Sequence, residues 1–455
     1  MQKQMTSTQS YSSKTWLSFL IPSLLGLFLF MTPIDYNDAI TIPVAILAKE
    51  LQALIGDQMT MIISAIIGIS ALISIVAVVV KPNFITRSHY LKELFLVSPF
   101  WLVIRILGAV LAIATFTQAG PAMFHDGATG GLVLNDLLPV LLCVFIFAGL
   151  LLPLLLNFGL LELMGTLLTV IMRPIFKLPG RSAIDCLASW LGDGSVGILL
   201  TSKQYQEKFY TQREAAVIGT TFSAVSITFS LVVIAQVELE AYFLPFYLTV
   251  CLAGFVCAVI IPRLPPLSWK KDVFIDGSQA DGERDKRPSD SNLFQWGMKQ
   301  ALNRAQQAPS LSKLAAEGSR NAADMVLGVL PVIMAIGTLA LVIAENTPIF
   351  DWLGQPFVPF LELLQIPQAE EASRTIVVGF ADMFIPSILA ASIESDMTRF
   401  VIAAMSVTQL IYMSEVGALL LGSKIPVNIF ELFVIFLLRT IITLPVIALM
   451  AHLIF

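Results

Sequence analysis

Residues 179–202, PGRSAIDCLASWLGDGSVGILLTS, decide the fold. The stretch is largely apolar, yet it carries Asp185 and Asp193 and gathers Gly192, Gly194 and Gly197 near its middle. As one straight lipid-facing helix it would set carboxylates and a glycine cluster at the bilayer centre. Each charge there costs about 2.5–3.5 kcal/mol. Two arms of about ten residues that enter and return avoid this, because the irregular turn is then buried in protein or lines a wet cavity. The stretch predicts a re-entrant helical hairpin over Gly180–Ser202. Arg374–Glu394, within Ser373–Asp396, repeats the pattern, with Asp382 and the helix breaker Pro386 near its turn.

The sequence around these stretches is that of a membrane protein. Of 455 residues, 56% are hydrophobic and 13% charged, and mean hydropathy is +0.82. A soluble domain has a far more polar balance. Uncharged runs at Trp16–Ile34, Met59–Val80, Leu137–Leu156, Ala215–Val237, Ala241–Pro262 and Met325–Ala344 each approach the roughly 20 apolar residues that a crossing helix needs. Leu94–Phe116 around Arg105, Phe400–Leu421 around Glu415 and Leu432–Ala451 around Arg439 bring the expected crossings to nine. The runs are continuous, without the alternation of a β-barrel. The expected fold class is therefore an all-α polytopic membrane protein, with about nine transmembrane helices and two re-entrant helical hairpins. Ala39–Ile55, apolar but carrying Lys49 and Glu50, is expected as an interfacial helix.

Charge in the short loops sets the orientation. Lys81, Arg87 and Lys92 lie in one loop, and Arg173, Lys177, Arg181, Lys203, Lys208 and Arg213 in another of the same parity. The loops of opposite parity are nearly free of bases. This places the N-terminus in the cytoplasm and, after nine crossings, the C-terminus in the periplasm of a bacterial inner membrane. The apolar run after Lys3 and Lys14 has no small-residue cleavage site behind it and reads as an uncleaved first helix.

Repetition gives the domain plan. Leu138-Pro139-Val140 opens one half and Leu330-Pro331-Val332 the other. Each opening span leads to an amphipathic stretch (Phe158–Lys177, Phe350–Ile366), a proline (Pro179, Pro367), a hairpin segment and two closing spans. Residues 1–131 precede the repeats, 132–262 form the first, 263–324 a cytoplasmic linker and 325–455 the second. Within the linker, Asp276–Ser291 has no large apolar residue and is expected to be disordered, whereas Asn292–Arg320 is helical in pattern and suited to the membrane surface. An odd number of crossings separates corresponding positions, so the repeats are expected to be inverted, with broken helices meeting at mid-membrane as in secondary transporters.

The hairpin Gly180–Ser202, the preceding helix ending Met172-Arg173-Pro174 and the following Ala215–Val237 span resemble the nucleoside-recognition, or Gate, domain. Over nearly its full length the chain resembles the YjiH-type inner-membrane proteins that carry it, and the scaffold is similar to that of concentrative nucleoside transporters. In those transporters polar residues at both hairpin tips and on the following helices hold base and ribose. The resemblance implies Asp193 and Ser195 on the first tip, Asp382 and Ser387 on the second, and Gln409 and Glu415 on the helix after it as substrate-binding residues. Gly192-Asp193-Gly194-Ser195 stands here in place of the Gln/Thr/Glu grouping of a nucleoside transporter.

Each of these residues also admits a structural role. Asp193 either binds solute or a coupling cation, or caps the second arm. Asp185 is placed to pair with Arg181 one turn away. Glu415, an intramembrane carboxylate, is by default functional, with a structural pair to Arg439 as the other reading. Arg105 is a counter-charge or a scaffold contact. Ser223, Ser226 and Thr228 line the solute path or bond across helices. Gly192-x-Gly194-x-x-Gly197 satisfies the dinucleotide fingerprint, but no strand precedes it.

The chain has four Cys, scattered in apolar segments, and three His far apart in sequence, so neither a metal site nor a disulfide framework is indicated. There is no Walker A motif, HExxH or GxSxG, and an enzyme is not expected. The expected function is secondary active transport of a small polar organic solute, nucleoside-like by resemblance, or else of amino acids or short peptides, with H+ or Na+ as coupling ion and no other cofactor. A non-transporting Gate-domain scaffold is the other class. The expected partners are the solute and the lipid bilayer, with a second, smaller Gate-domain protein or a homo-oligomer as the assembly, and no nucleic acid.

Overall fold

The computed structural model describes residues 11–32, 34–36, 39–191, 194–222, 225, 227–279 and 292–455. The chain is an α-helical polytopic membrane protein. Among the described residues seven helices are long and apolar enough to cross a membrane: Ser13–Phe30, Pro43–Val79, Pro99–Thr117, Leu132–Leu156, Glu240–Arg263, Leu311–Asn346 and Ile429–Ile454. Their outer faces expose large apolar side chains such as Ile21, Leu72, Phe100 and Leu449, as lipid contact requires. Inside Pro43–Val79, Gly56 at φ +56° separates Pro43–Ile55 from Met59–Val79, and Pro43–Ile55 packs on Leu138–Leu156. Among the described residues a short antiparallel pairing of Ile34–Tyr36 with Ala39–Thr41 is the one strand pair.

Two of the nine expected crossings are interrupted. Ala215–Val237 is a helix over Gln212–Val217 that widens into π-turns over Ile218–Phe222, and helix resumes at Ile227–Gln236. Phe400–Leu421 is Asp396–Gln409, then irregular backbone, then Val416–Gly422. Neither contains an internal proline.

The same order of elements occurs twice. Each half opens with π-turns (Leu132–Leu137, Asp324–Val329) that run into a helix with proline at its start (Leu138–Leu156, Leu330–Asn346). Pro139 and Pro331 lack the N–H that would close the preceding turn, and their rings crowd the carbonyl one turn back, so a widened turn relieves both. Next come amphipathic helices (Leu160–Phe176; Ile349–Gly354 with Val358–Leu363), then a pair of short helices packed together (Ser182–Leu191 with Gly194–Gln206; Ala369–Val378 with Ile385–Ala390). An interrupted helix and a long closing helix, Phe243–Ile260 or Ile429–Ile454, complete each half.

The closing helices pack antiparallel. The Tyr242 and Phe455 rings are 4.9 Å apart at one end, while Lys270 and Glu431 form a 2.7 Å ion pair at the other. Contacts between the halves are crossed: Gly194–Gln206 touches Val416–Gly422, and Ile385–Ala390 touches Ile227–Gln236.

The connection between the halves is integral to the bundle. Leu293–Gln306 packs on Leu160–Phe176, and Leu311–Ala323 packs on Leu138–Leu156 before running through residue 324 into the second half. Asn292–Arg320 is thus helical, as its pattern indicates, but is packed between helices: Asn157 bonds both Glu317 and Arg304. Of the segment expected to be disordered, Asp276–Gln279 forms an ordered turn, with Lys208 2.6 Å from Asp276. That ammonium and Ser278 hold the Asp276 carboxyl well below the usual carboxylate range. The rest, 280–291, lies outside the described residues.

Candidate functional site

Irregular backbone inside a membrane protein needs partners, since each unmade hydrogen bond there is costly. In the second half two irregular stretches satisfy one another. The turn between Ala369–Val378 and Ile385–Ala390 offers the carbonyls of Phe380 and Ala381, which accept from the N–H groups of Met413 and Ser414 at 2.8 and 2.9 Å. Asp382 locks the junction. Its Oδ1 accepts from the N–H groups of Phe384 and Ile385, capping the second helix, and its Oδ2 accepts from Ser414 Oγ at 2.7 Å. Leu410 opens the interruption at φ +62°, a conformation that side-chain-bearing residues rarely adopt and that is held only where the surroundings dictate it.

Gln409, the last helical residue before the interruption, donates from Nε2 to the Ile376 carbonyl and to Thr440 Oγ1, at 3.0 and 2.9 Å. Its Oε1 is buried and has no partner. Ser387 is buried with no partner for its hydroxyl. Glu415 is half-buried at the start of Val416–Gly422, with Tyr412 Oη 3.3 Å from its Oε2.

Arg439 ties the two interrupted helices together. Projecting from the closing helix of the second half, it is 2% exposed. Nε and Nη2 donate to the Thr408 carbonyl at 2.9 and 2.6 Å, and Nη1 to the Thr220 and Thr221 carbonyls at 3.2 and 3.4 Å. The Thr408 carbonyl lies in the last turn of Asp396–Gln409, and those of Thr220 and Thr221 lie in the last described turn of Gln212–Phe222, where helix-end carbonyls need donors from outside the helix. Both helix dipoles turn their negative ends to the guanidinium. A cavity of ≈ 370 Å³ opens beside it, lined by Thr221, Thr408 and Arg439 and walled by apolar groups including Met172, Leu187 and Phe255.

A family model described as nucleoside recognition, Gate, matches residues 138–239. These residues run from the first opening helix through the first helix pair to the end of the first interrupted helix. An uncharacterised protein of Alkalihalophilus pseudofirmus is 51% identical over 439 residues, 96% of this chain and 95% of the relative. The chain carries a Gate domain and belongs to one family with this relative. No solved structure matches it.

Within the Gate domain the two short helices lie side by side in antiparallel register. Gly197 meets Ser189, and a methyl group on Gly197 would fall 1.7 Å from Ser189 Oγ. Asp185 bonds Thr201 and Gln204 across the pair. Ser195 is buried in the first turn of Gly194–Gln206. Asp193, Gly192, Ser223 and Ser226 lie outside the described residues.

The charge pairs expected from sequence are corrected. Asp185 does not pair with Arg181, which lies 3.8 Å from Glu162 and stacks on Phe209. Arg439 meets helix-end carbonyls in place of Glu415. Arg105, buried on the Pro99–Thr117 helix, is a scaffold contact: it bonds Ser74 Oγ and the Leu94 carbonyl at 2.8 and 2.9 Å. The structure thus gathers Asp382, Gln409 and Glu415 around one interruption. Sequence reading missed Thr220, Thr221 and Thr408, because their role lies in main-chain carbonyls that carry no sequence signal. An arginine inside an apolar span was the available hint.

Proposed function

We propose that the protein is a secondary active transporter of a small polar organic solute, nucleoside-like, in the bacterial cytoplasmic membrane. In this reading the two helix pairs are re-entrant hairpins of inverted repeats, and access alternates as each moves against its interrupted helix. The observation that carries it is the convergence on Arg439 of two helix ends, one from each half. The antiparallel closing helices and the crossed contacts support inversion. Unpartnered polar atoms of Gln409 and Ser387 suit a solute that both donates and accepts hydrogen bonds. Asp382 already accepts three of them, so an uncharged solute matches better than an ammonium group.

The orientation follows the bases. Tyr11 bonds Asn303, Arg320 lies over Tyr90, and Lys208 and Arg213 meet Asp276 and Asp272, which gathers the basic loops and the N-terminal helix at one end. Phe455 packs with Tyr242 and Phe400 at the other. The basic end is cytoplasmic and the C-terminus periplasmic. The chain is not an enzyme, and either H+ or Na+ drives it. It works alone, as a homo-oligomer, or with a smaller Gate-domain protein.

Uptake of labelled uridine into proteoliposomes tests the proposal. The expected result is gradient-dependent uptake, reduced at least tenfold in Asp382→Asn, Glu415→Gln and Asp193→Asn. No gradient-dependent flux of any nucleoside overturns the substrate class, and wild-type flux in all three variants removes the site assignment.

A further inference from the structure

The first helix pair holds a carboxyl group that the solute site does not use. Asp185 is 1% exposed, and Thr201, Gln204 and Tyr210 around it are 0% exposed. Thr201 Oγ1 donates to its Oδ2 at 2.7 Å and Gln204 Nε2 to its Oδ1 at 2.6 Å. Both donors are neutral, and both stand on the second helix of the pair.

Among the described residues no cation forms an ion pair with it, and the Arg181 guanidinium attracts it only from a distance. On its own helix, Arg181 is 3.8 Å from Glu162 and 3.7 Å from the centre of the Phe209 ring, and Cys186 is the adjoining thiol. From the amphipathic helix, Glu162 faces Arg181 and Arg173 pairs with Glu214 at 2.8 Å. From the second helix of the pair, Lys203 pairs with Glu207 at 3.8 Å. The Tyr210 phenol closes the far side. Lys14 on the first long helix is exposed, and the π-turns Ile218–Phe222 carry no titratable group.

A carboxylate enclosed by neutral donors lacks the ion pair that offsets the loss of hydration, and neutralisation is the ordinary remedy. The site accommodates both forms. The Thr201 hydroxyl donates to the carboxylate and, on rotating, accepts from the acid O–H. A sodium ion fits less well, because Gln204 turns its amide nitrogen to the carboxyl.

We infer that Asp185 is a proton-binding site joining the two arms of this helix pair. One H+ from water adds to Oδ2, the charge on the carboxyl goes from −1 to zero, and Thr201 Oγ1 changes from donor to acceptor. The reverse returns the proton to water. The role of this site in driving transport rests on the transporter reading, whereas protonation of the carboxyl is measurable without any solute.

Infrared difference spectroscopy of the purified full-length chain in lipid nanodiscs, titrated from about pH 9 to 5, tests the inference. The expected result is a carboxylic C=O band that grows as pH falls, disappears in Asp185→Asn, shifts in frequency in Asp185→Glu and is unchanged when choline replaces sodium. Thr201→Val, which keeps the carboxyl and removes one donor to its charged form, is expected to move the midpoint upward by about one pH unit or more. A wild-type spectrum matching that of Asp185→Asn overturns the inference, and so does a band that responds to sodium at constant pH. Failure to transport nucleosides would count against the transporter reading and leave this titration standing.

Discussion

Arg439→Met is expected to destabilise the protein by about 3–6 kcal/mol and to abolish solute uptake. The side chain satisfies the carbonyls of Thr408, Thr220 and Thr221, all buried. A buried acceptor left without its partner costs about 1–3 kcal/mol, and methionine fills the volume without restoring a donor. Lysine restores the charge but not the fork, since its single ammonium is a point charge and the acceptors sit on two different helices. Arg439→Lys is therefore expected to recover part of the stability and little of the uptake. Thermal denaturation in detergent, read by tryptophan fluorescence, checks the first effect, and proteoliposome uptake checks the second. A Met variant that melts like wild type would show that the helix ends hold themselves.

Gly180→Val is expected to prevent the first helix pair from seating. Gly180 stands where the chain enters that pair, and a methyl group there would lie 2.0 Å from the Gly165 carbonyl oxygen and 2.4 Å from the Thr169 nitrogen. Both are main-chain atoms of the Leu160–Phe176 helix, which cannot yield without losing its own hydrogen bonds. Overpacking in a core typically costs 1–3 kcal/mol; against rigid backbone the expected cost is about 3 kcal/mol or more, seen as loss of the monodisperse peak on size exclusion. Gly68→Ala is the control. Nothing lies within 4 Å of the corresponding position in the Met59–Val79 helix, and alanine is the better helix former there.

The apolar runs made the bundle legible, since length and hydropathy suffice to mark a crossing helix. The Leu-Pro-Val openings likewise announced the two halves, because proline at a helix start leaves a local mark. The interruptions were harder. Ala215–Val237 and Phe400–Leu421 have the hydropathy of crossings and no internal proline, and what stops their helices comes from elsewhere in the chain. Arg439 takes the helix-end carbonyls, and the Phe380 and Ala381 carbonyls take the N–H groups of Met413 and Ser414. These are long-range bonds to the main chain, invisible in side-chain patterns. The charge pairs failed for a related reason. Arg181 and Asp185 are spaced for a helical pair, but the fold offers Asp185 two neutral donors at closer range and sets Glu162 and Phe209 beside Arg181. The acidic residue in the second turn, Asp382, was legible as special, and its geometry makes it a cap and a latch.

Alternating access between the two helix pairs requires that they enter the bilayer from opposite faces. Cysteine accessibility in oriented membrane vesicles measures this most directly, on a background from which Cys143, Cys186, Cys251 and Cys257 have been removed. Gln206→Cys and Glu371→Cys place single thiols at exposed positions beside the first and second pair. A membrane-impermeant maleimide is expected to label Gln206→Cys only from the cytoplasmic side and Glu371→Cys only from the outside. Labelling of both from the same side would contradict entry from opposite faces.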